Sequence, residues 1–210
     1  MNPPAQREPI VFVVSGPSGS GKSTLVPKLL ELPNMLASVS CTTRPRRTAE
    51  NPGKCYDFIS EDEFDRMVRA GEFLEYASVF GKHRYGTPRK WLDTARNQGK
   101  DLVLEIDVQG AAQIRKALPA AVSIFIVPPS SEELERRIRG RGQDPPEEIA
   151  RRLQRSLDEM KRFMDYDFMI VNDNLERAGR DIQAIGIATR CRSTNAQGHV
   201  EQILKSFGGK

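Results

Sequence analysis

Residues 16–24 read GPSGSGKST, between an apolar run of strand length (IVFVVS, 10–15) and a segment of helical character from about 22 to 32. The pattern GxxxxGK[ST] is met by Gly16, Gly21, Lys22 and Ser23. Glycines let the backbone curl so that successive N–H groups face one concavity, and the following helix adds the partial positive charge of its N-terminus. A strand–loop–helix unit of this kind cradles a polyphosphate. Lys22 supplies a full charge to the β/γ-phosphates, and Ser23 offers a hydroxyl to Mg2+. The expected nucleotide contacts are the whole loop: Gly16, Pro17, Ser18, Gly19, Ser20, Gly21, Lys22, Ser23 and Thr24. The loop sets nucleoside-triphosphate binding; it does not set what becomes of the nucleotide.

The rest of the chain keeps the same rhythm. Helical spacing marks 61–70, 88–98, 131–138, 147–160 and 181–189, with Ser131 as the expected cap of the third. Apolar strand-like runs lie at 73–80, 102–106, 122–127 and 168–171. Buried strands alternating with helices imply a largely parallel sheet covered on both faces, an α/β fold of the P-loop NTPase type. Two segments break the rhythm: 41–57, rich in Arg, Thr and Pro, and GRGQDPP at 140–146. Interruptions of this kind often carry binding and closure. The polar tail from about 192 to 210 reads as a loosely attached helix or a disordered end.

Composition narrows the class. With 210 residues the chain is expected to form one domain. Three cysteines, Cys41, Cys55 and Cys191, show no CxxC spacing, which argues against a disulfide framework or a structural zinc site. No 18-residue apolar run and no leader-like N-terminus are present, so a cytoplasmic location without membrane contact is expected. A net charge of +4 permits an anionic ligand, but aromatics at 7% argue against a nucleic-acid surface. His83 and His199 are the two histidines, and neither neighbours a candidate nucleophile.

The segment SVSCTTRPRR (38–47) places Arg44, Arg46 and Arg47 within four residues, with Ser40, Thr42, Thr43 and Tyr56 as neutral donors nearby. Arginine forks match phosphate oxygens bidentately, so the set suits a phosphate better than bulk water. With it the chain resembles the guanylate kinases, nucleoside-monophosphate kinases that act on GMP. The resemblance runs from about residue 9 to 191 and rests on SGPSGSGKST, SVSCTTRPRR, EFLEYASVFGKHRYGTP, LEIDVQGA, PPSSEELERRIRGRG and YDFMIVNDN, in the family's order.

The resemblance implies a core sheet (about 8–40, 88–130 and 160–191), an inserted GMP-binding subdomain (about 41–87), a small helical lid (about 131–159) and a tail (192–210). It implies that ATP and GMP, and with GMP its deoxy analogue dGMP, are the substrates, with Mg2+ as cofactor. Arg44, Arg47, Tyr56 and Tyr85 match residues that hold the GMP phosphate. Ser40, Glu75, Thr87 and Asp107 match the guanine-binding set. Arg137, Arg141 and Arg152 match arginines that reach the transferring phosphates on lid closure, so that with Lys22 and Arg44 they form the expected catalytic set. Asn172 matches a residue near the adenine of ATP. Glu105 stands where some members carry Asp, and 81–85 is one residue longer than in some relatives.

Part of this is chemically sensible without the family. Guanine presents N1–H and its 2-amino group side by side, and an ionised carboxylate such as Glu75 accepts from both. Thr87 is able to donate to guanine O6. Adenine would leave that carboxylate facing an acceptor, a mismatch that rejects strongly when buried. Asp107, at a strand end, suits either guanine or the shell of a metal through water. Two other readings compete: a monophosphate kinase for another base, which Glu75 and Thr87 oppose, and a non-catalytic guanylate-kinase-like interaction module, which the intact Lys22 and Ser23 oppose.

Overall fold

The computed structural model describes residues 8–46, 53, 56–79, 83–140 and 145–207. Its centre is a five-stranded, all-parallel sheet. The strands are β1 (Val11–Ser15), β2 (Met35–Ala37), β7 (Asp101–Glu105), β8 (Val122–Val127) and β9 (Phe168–Val171), in the order β2-β7-β1-β8-β9. Both faces are covered, and β1 shows how. Ile10, Phe12 and Val14 join Leu25 and Leu29 of α1 (Lys22–Leu30) and Ile182 of α7 (Leu175–Arg190). Val11 and Val13 join Ala95 of α3 (Lys90–Gln98) and Ile114 of α4 (Val108–Ala117) on the opposite side. The two-residue period of a strand sorts one continuous apolar run into two cores.

The sheet is pinned by one buried charge. Asp101, fully buried at the start of β7, accepts from the Ile10 N–H at 3.1 Å and from Arg190 Nε at 2.7 Å. Arg190 also donates to the Pro33 carbonyl at 2.7 Å. Satisfied on both sides, this carboxylate ties the end of α7 to the edge of the sheet.

A second, four-stranded sheet stands beside the first. It holds β3 (Ser40–Thr42), β4 (Tyr56–Phe58), β5 (Phe73–Val79) and β6 (His83–Pro88), in the order β4-β3-β6-β5. β5 and β6 run antiparallel with Glu75 opposite Thr87, and β3 joins them with Cys41 opposite Gly86. Helix α2 (Glu61–Arg69) covers it with Phe64 and Met67 against Phe73. The third layer is a helix pair, α5 (Ser131–Arg139) and α6 (Pro146–Met160), around Leu134, Ile138, Ile149 and Leu153.

Several elements depart from the expectation. The cap of α5 is Ser130, whose side chain accepts from Glu133 N–H, one residue before the expected Ser131. Pro88 ends β6 instead of opening a helix; Arg89 N–H then bonds to the Glu72 carbonyl at 2.7 Å. α7 begins six residues earlier than expected, where Asn174 accepts from Arg177 N–H. The tail follows the first of its two expected readings: it holds helix α8 (Ser193–Ser206), attached through Asn195 Nδ2 to the Thr189 carbonyl at 2.8 Å. Among the described residues no helix is long and apolar enough to cross a membrane.

Candidate functional site

The C-terminal ends of β1 and β7 open into a cleft of about 620 Å³ that reaches to the second sheet. Ligands of parallel α/β sheets bind at this end of the strands. The loop 16–24 forms one wall. Gly21, the residue before α1, has φ 97°, a left-handed conformation, and a Cβ there would fall 2.1 Å from Asn172 Nδ2. Glycine is therefore required twice over, for dihedral and for space. Asn172, buried, donates through Nδ2 to the Ser20 carbonyl at 2.9 Å and so braces the back of the loop. Lys22 curls over the loop and donates to the carbonyls of Gly16 (2.7 Å) and Pro17 (3.0 Å).

Ser23 donates to Glu105 Oε1 at 2.6 Å, from the first turn of α1 to the last residue of β7. Among the acids expected at the site, Asp107 was the one assigned a possible metal role. The carboxylate bonded to Ser23 is Glu105. Asp107 instead caps α4: its Oδ1 accepts from Gln109 N–H (3.0 Å) and Gly110 N–H (2.9 Å). Two acids two residues apart in LEID look alike in sequence, and only the strand end separates their directions.

The opposite wall belongs to the second sheet. Glu75, 5% exposed, accepts the Thr87 hydroxyl proton at 2.6 Å, and Thr87 lies 3.2 Å from the Ser40 hydroxyl. A hydroxyl has one proton. With that of Thr87 on Glu75, Ser40 is the donor in its pair with Thr87, and the three form a directed relay. In this state the Thr87 proton is directed to the carboxylate. Burial, with Asp107 nearby adding to it, pushes the Glu75 carboxyl up to about 7. Its Oε2 rests against α4, where a Cβ on Gly110 would approach to 2.4 Å.

Further along this wall Arg44 donates through Nε to the Tyr85 hydroxyl at 3.2 Å, and its guanidinium lies 5.8 Å from the Tyr56 ring centroid. The Tyr56 and Tyr85 rings meet edge to face at 5.5 Å. Arg44, Tyr56 and Tyr85 thus form one cluster facing the cleft. Arg84, next in chain to Tyr85, turns away to Asp65 and Glu61 of α2.

From the helix pair, Arg152 lines the cleft. Arg137 does not: it bonds Glu133 at 2.7 Å and reaches behind the loop to the carbonyls of Ser20 (3.4 Å) and Asn172 (2.9 Å). Arg47 and Arg141 lie outside the described residues. Three charged cleft residues have no site role in the sequence reading: Glu105, Arg155 and Glu159. The last two are spaced i,i+4 on α6 and read in sequence as an ordinary helix-surface ion pair.

A glycine-rich loop between a parallel strand and a helix, facing a pocket with an arginine–tyrosine cluster and a buried carboxylate, is the arrangement of a P-loop phosphotransferase. Comparison with known proteins gives the family. The guanylate kinase family model matches residues 6–187. The guanylate kinase of Alkalilimnicola ehrlichii is 44% identical over 200 residues, covering 95% of this chain and 98% of the relative. That of Neisseria gonorrhoeae is 45% identical over 203 residues, covering 96% and 98%. The crystal structure of guanylate kinase from Anaplasma phagocytophilum superposes with a TM-score of 0.78 at 35% identity, covering 96% of each chain. The chain belongs to the guanylate kinase family.

Proposed function

We propose that the protein transfers the γ-phosphoryl group of ATP to GMP, giving ADP and GDP, and so serves guanine nucleotide synthesis and GMP recycling. The observation that carries the base assignment is the buried Ser40–Thr87–Glu75 relay opening into the same cleft as Lys22. In this reading one Glu75 oxygen takes Thr87, and the other is left to accept from the guanine N1–H and 2-amino edge. By the same contacts dGMP is a substrate. In this reading 41–87 is the acceptor subdomain and 131–159 the lid, a division supported by their separate small apolar clusters.

The nucleophile is a phosphate oxygen of GMP, whose second ionisation lies near pH ~6, so no general base is needed. It forms a bond to the γ-phosphorus while the bond from that phosphorus to the β–γ bridging oxygen breaks, and the electron pair leaves with ADP. The protein's task is to bring two anions into line. Lys22 and Arg152 face the donor phosphates, and Arg44, Tyr56 and Tyr85 hold the acceptor phosphate. Arg47 and Arg141 belong to the same reading by resemblance. Arg137 braces the loop in the present state and is assigned to the phosphates on closure. Asn172 is assigned to the adenine side.

The oxygen donors at the start of α1 suit Mg2+, a hard cation that takes few protein ligands beside phosphates. Ser23 would hold it, with Glu105 rather than Asp107 orienting that hydroxyl, a choice supported by their 2.6 Å bond. The ion would neutralise charge on the β- and γ-oxygens. A cytoplasmic location belongs to this reading and is supported by the free thiols Cys41 and Cys191. Neither nucleic acid nor membrane is needed as a partner.

The test is ADP production coupled to an indicator reaction, with ATP, Mg2+ and each of GMP, dGMP, AMP, UMP and dTMP. Turnover with GMP and dGMP, and at least about 100-fold lower kcat/KM with AMP, is expected. Equal turnover of AMP and GMP would overturn the base assignment.

A further inference from the structure

Arg155 sits in the cleft, on the lid helix α6, between two carboxylates from different parts of the molecule. Its Nε donates to Glu159 at 2.8 Å, and its terminal nitrogen lies 3.6 Å from Asp107 Oδ2. Asp107 Oδ1 accepts from the first N–H groups of α4, while Oδ2, which also takes Gln109 Nε2 at 3.4 Å, is the oxygen paired with the lid. Both partners of this contact are about three-quarters covered, with exposures of 26% and 24%. The pair is therefore poorly screened, and it is a polar link from α6 to the acceptor side of the cleft.

The charges around it are unbalanced without Arg155. Arg155 of α6 pairs with Asp107 directly, and the charge of Asp107 is felt by Glu75 of β5, Glu159 of α6 and Tyr166 of the segment before β9. With Asp107 itself these are five groups, three of them carboxylates, and Arg155 is the cation among them. Lys22 lies on the Glu159 side, while Arg44 is further along the cleft, with Tyr85.

We propose that Arg155 is a positioning residue of the acceptor pocket, holding the outward oxygen of Asp107 and screening that carboxylate from Glu75. The proposal rests on the reading of Glu75 as the guanine acceptor. Arg155 touches neither base nor phosphate in it. Without Arg155, Asp107 keeps its bonds to the α4 N–H groups and to Gln109 but loses the cation paired with it, and its charge then makes the ionised form of Glu75 harder to reach. GMP, which needs that form, then binds more weakly, and most of all on the acid side. The lid also loses its tie to the start of α4.

The experiment is kcat and KM for GMP from pH 5.5 to 8.5 in Arg155→Gln, Arg155→Lys, Glu75→Gln and the double variant Arg155→Gln/Asp107→Asn. The phosphate of GMP titrates in the same range in every variant, so the differences between variants are what is read. Arg155→Gln is expected to raise the KM for GMP about 3- to 10-fold with kcat within about twofold, and to move the acid limb of kcat/KM upward by about half a pH unit. Lysine should recover most of both effects, since charge and reach are kept. In the double variant the limb should return toward that of the unmodified protein, because the charge that displaced it is gone. An unmoved acid limb in Arg155→Gln, beside a Glu75→Gln variant that has lost GMP turnover, would overturn the proposal alone. A Glu75→Gln variant with normal GMP kinetics would overturn the guanine reading beneath it.

Discussion

The loop that would hold ATP is nine consecutive residues, whereas the pocket that would hold GMP draws on β3, β4, β5, β6 and the start of α4. The first works through backbone: its N–H groups and glycine dihedrals are fixed by local sequence, and the side chains that matter, Lys22 and Ser23, follow at fixed offsets. The second works through side chains brought together by strand register. Glu75 meets Thr87 because β5 and β6 pair those two residues, and Thr87 meets Ser40 because β3 lies on the far side of β6. A one-residue slip between β5 and β6 would turn Glu75 out of the pocket, and one between β3 and β6 would turn Ser40 out. The donor site is therefore tolerant of its surroundings, and the acceptor site depends on the whole second sheet.

Lys22 is the charge carried by the donor loop itself, and removing it should have the largest effect of any single change. Lys22→Ala should lower kcat by about 10³-fold or more, because that charge offsets the repulsion between donor and acceptor phosphates in the transition state. Circular dichroism on the same sample should be unchanged, since Lys22 makes its two described bonds to loop carbonyls and packs in no core. Normal turnover would remove the loop from the mechanism.

The acceptor wall should break more gradually. Glu75→Gln keeps shape and the Thr87 bond but replaces one acceptor oxygen with a donor amide. It should reduce kcat/KM for GMP by about 10- to 1,000-fold, or about 1–4 kcal/mol, with little change in the KM for ATP. An effect on ATP alone would place Glu75 on the wrong wall.

This difference also decides how much was legible in the sequence. The strand 122–127 and the loop 16–24 were plain, because buried parallel strands and glycine-rich turns carry their signal in consecutive residues. The strands β2, β3, β4 and β6 were not. Three of them have only three residues, too few for a two-residue period to show, and β6 (HRYGTP) has no apolar alternation and ends in proline. Their residues pair because β5 and α2 supply an apolar surface, a property of the assembly. The resemblance named Ser40, Glu75 and Thr87; residue pattern alone gave no reason to prefer Glu75 over the neighbouring acids. It also gave no reason to separate Glu105 from Asp107, because which of them reaches Ser23 is set by the end of β7.

A third test sharpens the comparison through stability. Glu75 is raised from its ordinary 4.5 to about 7, mainly by burial. The folded state therefore disfavours its ionised form. Above pH 7 the carboxylate is ionised in both folded and unfolded chains, and folding bears the desolvation. As the pH falls from about 7 toward 4.5 the folded protein takes up the proton first, and that cost disappears. Glu75→Gln should thus raise thermal stability at pH 8 by roughly 1–3 kcal/mol and have little effect near pH 5. Melting curves at both pH values check it. The same substitution would then stabilise the protein and disable its acceptor pocket, a trade that Lys22→Ala, with its charge on the open loop, is not expected to show. Equal melting shifts at both pH values would mean that Glu75 bears no ionisation cost.

The smallest expected effect lies at Gly110, where α4 packs against Glu75 of the acceptor wall. Gly110 is in the first turn of α4, held by Asp107, and a Cβ there would fall 2.4 Å from Glu75 Oε2 and 2.9 Å from its Cδ. Gly110→Ala has two opposed consequences. Alanine favours a helix over glycine by about 1 kcal/mol, a gain for α4 itself. The carboxylate must move by about an ångström, which strains its bond to Thr87 and turns Oε2 away from a base. The contact is with the end of a side chain and not with backbone, so the fold can absorb it. The melting temperature should stay within a few degrees, while the KM for GMP rises about 3- to 10-fold and the KM for ATP stays put. A loss shared equally by both substrates would show that α4 supports the cleft as a whole. A loss confined to GMP would show that a single methyl group on the core can be felt by the acceptor wall and not by the donor loop.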